Sequence, residues 1–461
     1  MNPILWAVVA LGVCVVWYRV NDRLLGDFCS PFSLLLIGWV LPLSLRLLNL
    51  SSKEHPWHPE TVAMAVYATV VMAAVSLCPA CYLNRKRRWW NRAAFARMCA
   101  LLKRGDFTVF LIVLYGVGAV AVIYNELITN PIGVPLVTYL NDPSISRDPY
   151  WQWKGGSLWA LSIPVFGLAP FFYFKLKIAT GRIARAAYLA LLFFYPVVAL
   201  IKLSRSECLY CLTSILVARY YWLKLSGFPA RKRRRFVKFA LAAFVIAGLA
   251  IGSATVFQQV RGSRPMAGLK GNLGFDFDFG EPYDSTISEL YSYFALPFEN
   301  FSNFVNRFPG GYNLGVGVLR PIYSLSYQGE FVRAKLQQID FDSYLEMLPA
   351  NTYPYLVTAY AEGGWIGIIL APLIYAFMVN GSYLWYRLRP SVITAGVYYT
   401  MISYQWLWVF CNQNFTGIQY YLFGLVPVVT ILLYQWMRRR RAASSMLREP
   451  DRDLIQPLRT T

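Results

Sequence analysis

Long, almost uninterrupted apolar blocks alternate with short polar connections along this chain. A helix that crosses a bilayer core needs roughly 20 apolar residues, and about eleven blocks meet that length. They lie near residues 3–18, 31–48, 62–83, 107–124, 157–174, 184–200, 208–225, 239–257, 365–384, 392–410 and 420–437. The first block lacks a basic leader and a small-residue cleavage site, so it reads as a retained helix. The expected fold is therefore an all-α polytopic membrane protein with about 11 transmembrane helices. Helices one to eight fill residues 1–258, helices nine to eleven fill 352–437, and 438–461 form a basic tail. Residues 84–103 mix Trp89, Trp90, Phe95 and Met98 with arginines. That pattern predicts an amphipathic helix lying on the membrane surface.

One polar connection breaks the rhythm. Residues 259–351, between the eighth and ninth blocks, form a segment of about ninety residues, and long connections of this kind are usually functional. Glycines and prolines punctuate it, and helices are predicted over 285–308 and 331–348. The first carries Tyr291, Tyr293, Phe294, Phe298, Phe301 and Phe304 between acidic residues. A second connection, 125–156, contains Tyr139, Tyr150, Trp151 and Trp153. Such rings suit stacking on the apolar face of a sugar, or a belt at headgroup depth.

Composition agrees with the blocks. Hydrophobic residues make up 57% of the 461, and charged residues only 15%, against about 25% in soluble domains. Disorder is excluded by the same figures. Lys and Arg number 44 against 23 Asp and Glu, a net charge of +21. Most of that excess is a topology signal. The basic clusters at 85–88, 231–235 and 438–441 all follow odd-numbered helices, as do the lesser ones, which places them in the cytoplasm and the N-terminus outside. On that division the cytoplasmic side carries roughly +25. The outer side is net acidic, so an anionic ligand there needs local arginines.

Candidate chemistry is sparse. Two C-x-x-C pairs, Cys78/Cys81 and Cys208/Cys211, lie in apolar blocks without histidine, where cysteine commonly serves as a small apolar residue. The only histidines, His55 and His58, share a short proline-stiffened loop with Glu54 and Glu60; that is a poor metal pattern. No nucleotide-binding loop is present, which argues against ATP-driven transport by this chain alone. Intramembrane charge says more, because it is costly. Arg205 and Glu207 sit in a polar patch where the sixth and seventh helices meet. The patch either grips a phosphate or closes a helical turn as an ion pair. Arg261 and Arg264 begin the long loop before a glycine-rich run, and Arg320 follows another. Glycine allows close backbone approach and arginine supplies charge, a composition fit for a diphosphate. Glu362, followed by Gly363 and Gly364 near the start of the ninth helix, is a candidate general base or a charge favoured by the helix dipole.

The stretch Asn351-Thr-Tyr353-Pro-Tyr-Leu, with Glu362-Gly363-Gly364 and Gly367 after it, resembles the signature of Wzy-type oligosaccharide repeat-unit polymerases. The likeness extends to the number of spans, to Ser204-Arg205 in mid-chain, and to the long loop with Gly311–Arg320 before the signature. The chain departs from the pattern where the family's Asp-Phe-Gly is Glu362-Gly363-Gly364 and its Thr-Phe pair is Gly317-Val318. The family's Arg-x10-Gly loop pattern does not start at Arg261, Arg264 or Arg320.

The resemblance implies a GT-C-like, metal-independent glycosyltransferase of the bacterial inner membrane. Its substrates would be glycans on undecaprenyl diphosphate, its partners a chain-length regulator and a flippase, with no cofactor and no nucleic acid. The growing glycan would pass to the non-reducing end of a new unit, releasing undecaprenyl diphosphate. In that chemistry Glu362 would act as base with Glu207 behind it, and Arg205, Arg261, Arg264 and Arg320 would hold the diphosphate. Asn351, Tyr353 and Tyr360 would orient the sugar. A flippase for the same lipids is the alternative, but it predicts repeats and glycine-broken helices at midplane, neither of which is evident. An O-antigen ligase should carry a histidine in the long loop, which has none.

Overall fold

The computed structural model describes residues 19–47 (except 22), 55–85, 90–124, 159–201, 205–226, 283–312, 341–344, 353–410 and 418–446, with isolated positions before residue 19. Helix is the only regular structure among them. In chain order we label α1 (Pro31–Leu47), α2 (Pro59–Arg85), α3 (Arg92–Lys103) and α4 (Gly105–Ile123). Next come α5 (Trp159–Ile178), α6 (Arg182–Ile201), α7 (Arg205–Leu225) and α8 (Tyr283–Arg307). The last three are α9 (Tyr355–Leu388), α10 (Val392–Thr400) and α11 (Ile418–Met446).

Among the described residues five helices, α2, α4, α5, α6 and α9, are long and apolar enough to cross a membrane. Most of the block at 3–18 and all of that at 239–257 lie outside the described residues, as does the second aromatic connection at 125–156. The face of α4 shows why these helices need lipid. Val109, Val113, Val117 and Val120 recur every three or four residues and stand exposed, while Phe107, Leu111, Tyr115 and Val122 on the other face are buried. A bare apolar stripe of this length is stable only in an apolar solvent.

Helix α5 is the hub. Buried residues make up 72% of its spanning segment, against 33% for α4 and α6 and 39% for α2 and α9, so it is the most enclosed of the five. It packs on α4, α6, α7 and α11. Close approach to α11 depends on Gly167, where a Cβ would stand 2.6 Å from the Phe423 carbonyl oxygen. Helix α3 is amphipathic, but its apolar stripe faces protein. Phe95, Met98 and Leu102 are buried, and Phe95 meets Phe174 and Trp222 edge-on. The expected amphipathic character is present, and its apolar stripe packs against the bundle.

Helix α8 arises from the long connection. Its rings at three- and four-residue spacing predict one buried face, yet every residue from Ala295 to Val305 is buried, including Glu299, Asn300, Ser302 and Asn303. It is wedged against α1, α9 and a short 3-10 turn, Phe341–Tyr344. The rest of the helix predicted over 331–348 lies outside the described residues.

Two of the described helices run into π-helical turns. A π-helical turn, Leu36–Val40, interrupts α1. After Thr400, α10 continues as a π-helical turn, Met401–Gln405, and then a 3-10 turn, Trp406–Trp408. The two irregular stretches abut: a Cβ on Gly38 would stand 2.7 Å from the Trp406 carbonyl oxygen. Trp406 Nε1 donates to the Pro31 carbonyl at 2.8 Å, and Trp39 Nε1 donates to Thr69 Oγ1 at 2.8 Å.

Candidate functional site

The ninth helix starts earlier than its apolar block suggests, and it is broken. Tyr355 to Ala361 are helical; then Gly363 (φ −167°, ψ 24°) and Gly364 (φ 56°, ψ −131°) leave the helical region. Gly364 occupies the left-handed side of φ, open to glycine at little cost. It also lies under Tyr312, whose hydroxyl would stand 2.8 Å from a Cβ there. A transporter predicts glycine-broken helices at midplane, and α9 does carry a glycine break. The break lies near one end of α9, not at its middle. Glu362 immediately precedes it and is buried. The second half-helix therefore begins beside this carboxylate with its positive dipole end.

Around the break stands a wall of rings. Phe304 and Phe308 stack at 4.8 Å between centroids. Tyr344 packs edge-on against Phe304 at 5.0 Å, and Tyr360 meets Phe308 and Tyr312 at 6.3 and 6.1 Å. Tyr312 is 38% exposed and Phe308 and Tyr344 are half-buried, so the wall is open on one side. Gly310 (φ 95°) and Gly311 (φ 87°) turn the chain from α8 so that Tyr312 comes back over Gly364. Tyr353 and Tyr360 are buried; Tyr360 belongs to the wall, and Tyr353 lies two residues before α9.

The wall is anchored by an ion pair that the sequence did not reveal. Arg46, in the last turn of α1, donates from Nε and Nη2 to Glu299 Oε2 of α8 at 2.9 and 2.5 Å. The same guanidinium donates to the His55 carbonyl at 2.7 Å, and the His55 amide donates to Glu299 Oε1 at 3.1 Å. Arg46 also lies 5.4 Å from the Trp57 ring centre, a favourable cation–π distance. Both ionised side chains are buried, at 4% and 0% exposure, so neither charge has water to fall back on. His55 thus serves through its backbone. His58 is exposed, and no group of three metal-ligating side chains occurs among the described residues.

The remaining expected site residues divide as follows. Arg205 and Glu207 open α7. Tyr210, one turn further, meets Trp408 edge-on at 5.1 Å, and the Val409 carbonyl accepts from the Tyr355 amide at 3.2 Å. The start of α7 therefore lies at the same end of the bundle as the broken helix. Arg261, Arg264, Arg320 and Asn351 lie outside the described residues.

A second polar cluster occupies the opposite end of α9, about 30 Å along its axis. Asp27 is fully buried. Its Oδ2 accepts from Tyr383 at 2.8 Å and from Tyr221 at 3.3 Å, and Oδ1 pairs with Lys224 at 3.2 Å. Arg387 donates to the Tyr383 hydroxyl at 2.9 Å and lies 5.3 Å from the Trp90 ring, with Lys224 at 5.4 Å from the same ring. The Tyr398 hydroxyl donates to the Cys29 carbonyl. Burial first, and then the Asp27 carboxylate, push the Cys29 thiol well up, against the pull of Lys224. This cluster closes its end of the bundle around an Asp27 carboxylate paired with Lys224 and tyrosine hydroxyls.

Sequence reasoning missed Glu299, Asp27, Lys224 and Arg387 because each needs a partner far along the chain. Arg46 carried a usable signal: it is a lone arginine in an apolar block on the side expected to be net acidic. All six described cysteines are free thiols; Cys78 and Cys81 are exposed on α2, and Cys208 and Cys211 are buried. The chain matches no family model, and neither a curated protein nor a solved structure is significantly similar to it.

Proposed function

We propose that this membrane protein is a glycosyltransferase that polymerises oligosaccharide repeat units carried on undecaprenyl diphosphate. The observation that supports this reading best is the buried Glu362 carboxylate at a helix break, beside a one-sided wall of tyrosine and phenylalanine rings. A wall of that kind suits the apolar face of a sugar. A carboxylate held in a largely dry site suits removal of a proton from the attacking hydroxyl. The start of α7, with Arg205, lies at the same end and would meet the diphosphate leaving group. Arg261, Arg264 and Arg320 would complete the clamp, with Glu207, Asn351 and Tyr353 in supporting roles. In the reaction the acceptor oxygen bonds to the anomeric carbon as the bond to the diphosphate breaks. Glu362 takes the hydroxyl proton, and the arginines stabilise the departing oxygen.

In this reading the Glu362 end faces outward from a bacterial inner membrane, the chain crosses it about eleven times, and the Asp27 cluster seals the cytoplasmic end. A chain-length regulator and a flippase of the same pathway are the partners. The flippase reading keeps one observation in its favour, the glycine break in α9, since broken helices mark many transporter sites. Glycan profiles separate the two. In a strain lacking the native protein, Glu362→Gln should leave single repeat units on the acceptor lipid at an unchanged membrane level of protein. A flippase defect would leave none, and a ligase defect would accumulate lipid-linked polymer. Normal chain length with Glu362→Gln would remove Glu362 as the base.

A further inference from the structure

Each polar atom that the irregular part of α10 frees should find a partner, and most do. Trp408 Nε1 donates to the Ser403 carbonyl at 2.8 Å, and Thr213 Oγ1 reaches it at 3.4 Å. Tyr404 Oη lies 3.6 Å from Cys211 Sγ. Three side-chain atoms do not. Gln405 is 1% exposed and Ser403 0%, yet Gln405 Nε2, Gln405 Oε1 and Ser403 Oγ have no hydrogen-bond partner among the described residues. A buried polar group left unsatisfied carries its full desolvation penalty with nothing to offset it. A glutamine with both ends unpaired is therefore expensive for the fold alone, and methionine would fill the same space without that cost. Unsatisfied groups of this kind ask for a specific explanation, and π-helical turns recur at functional positions.

Location narrows the explanation. Residues 401–410 bridge the elements that build the candidate site. Trp408 meets Tyr210 of α7, Phe410 stacks on Phe294 of α8 at 5.1 Å, and Val409 holds the start of α9. The groups touching this segment in these contacts are neutral, which suits a neutral hydroxylated group better than a phosphate. An amide that donates and accepts, next to a hydroxyl, matches the paired donor and acceptor capacity of sugar hydroxyls.

We propose that Gln405 and Ser403, in the π-helical turn of α10, form a subsite for the hydroxyl groups of a lipid-linked saccharide. The proposal rests on the reading of this chain as one that handles lipid-linked glycans, and it adds the element that recognises the sugar. It explains why the turn keeps an amide that the fold itself leaves unpaired.

The test uses the full chain in phosphatidylcholine nanodiscs, with a prenyl glucoside as probe and the same prenyl alcohol as control. The unfolding midpoint of the wild type should rise with the glucoside and not with the alcohol. Gln405→Met should fold with an equal or higher midpoint and lose the glucoside-dependent rise; Ser403→Ala should reduce it. A rise that survives in Gln405→Met overturns the proposal. So does a Gln405→Met protein that unfolds at lower temperature or does not fold, because the amide is then a structural group bridged by water. Absence of any glucoside effect on the wild type overturns it as well. Polymerisation is read separately: a glucoside effect that depends on Gln405 in a chain that polymerises nothing would retain the subsite and reject the polymerase.

Discussion

Removal of the Arg46 guanidinium should loosen α8 more than any other single truncation at the Glu362 end of the bundle. Glu299 is fully buried, and its two oxygens are held by Arg46 and by the His55 amide. In Arg46→Ala the carboxylate keeps one neutral donor and loses its counter-charge. Breaking a buried pair from one side costs about 3–5 kcal/mol, because the remaining charge is left in a low dielectric. The His55 carbonyl also loses its donor, which adds about 1 kcal/mol. Glu299→Gln should cost less, since an amide oxygen still accepts from His55. The double variant Arg46→Met/Glu299→Met should recover most of the loss, because both desolvation penalties vanish together. The assay is equilibrium unfolding in mild detergent, arranged as a double-mutant cycle, with protease cleavage near α8 as a local readout. A coupling energy above about 1.5 kcal/mol is expected for groups in direct contact. If Arg46→Ala costs under about 1 kcal/mol, or the double variant is no better than the single, the pair does not pin the aromatic wall, and the reasoning fails.

Three other outcomes follow from particular positions. Gly367→Ala should prevent normal assembly, because its Cβ would overlap the Ala359 carbonyl oxygen across the helix break; normal folded yield of this variant, by size-exclusion profile, would contradict the geometry. Asp27→Ala should destabilise the closed end by about 3–5 kcal/mol, since Lys224 and the nearby Arg387 lose the carboxylate that offsets them; Lys224→Met in the same background should restore part of it, read by detergent unfolding. Burial raises the Cys99 thiol from 9.0 to about 11, with Lys103 opposing. Only the thiolate reacts, so at neutral pH Cys99 should react with a permeant maleimide about a hundredfold more slowly than a free thiol. Its rate should keep climbing as pH rises through 9 and level off only near 11; a plateau near pH 9 would show an ordinary thiol.

Much of the helical layout was legible in residue order, because each membrane-type helix satisfies its own backbone and need only be apolar and long enough. The helix over 285–308 was legible for a similar reason: its rings recur at helical spacing. What surrounds it was not. Glu299 and Asn303 are polar residues between the rings, and only the packing of α1 and α9 against α8 places them inside. Glu362 stood out because a carboxylate beside two glycines at an apolar boundary is rare. The break itself, and Tyr312 lying over it, depend on backbone angles and on a loop returning from α8. Gln405 gave no signal, since a polar residue near the end of an apolar block is unremarkable until its neighbours are known.

Residue order is enough to make this chain helical, suited to an apolar solvent, and basic in particular connections. Those properties are sums over local residues, and each block expresses them without reference to another. The tertiary structure alone decided which charges are buried together. Arg46 finds Glu299 across 253 positions, and Tyr383 finds Asp27 across 356. A buried charge is tolerable only with its partner, and the partner is chosen by helix packing, a long-range property that no local pattern encodes.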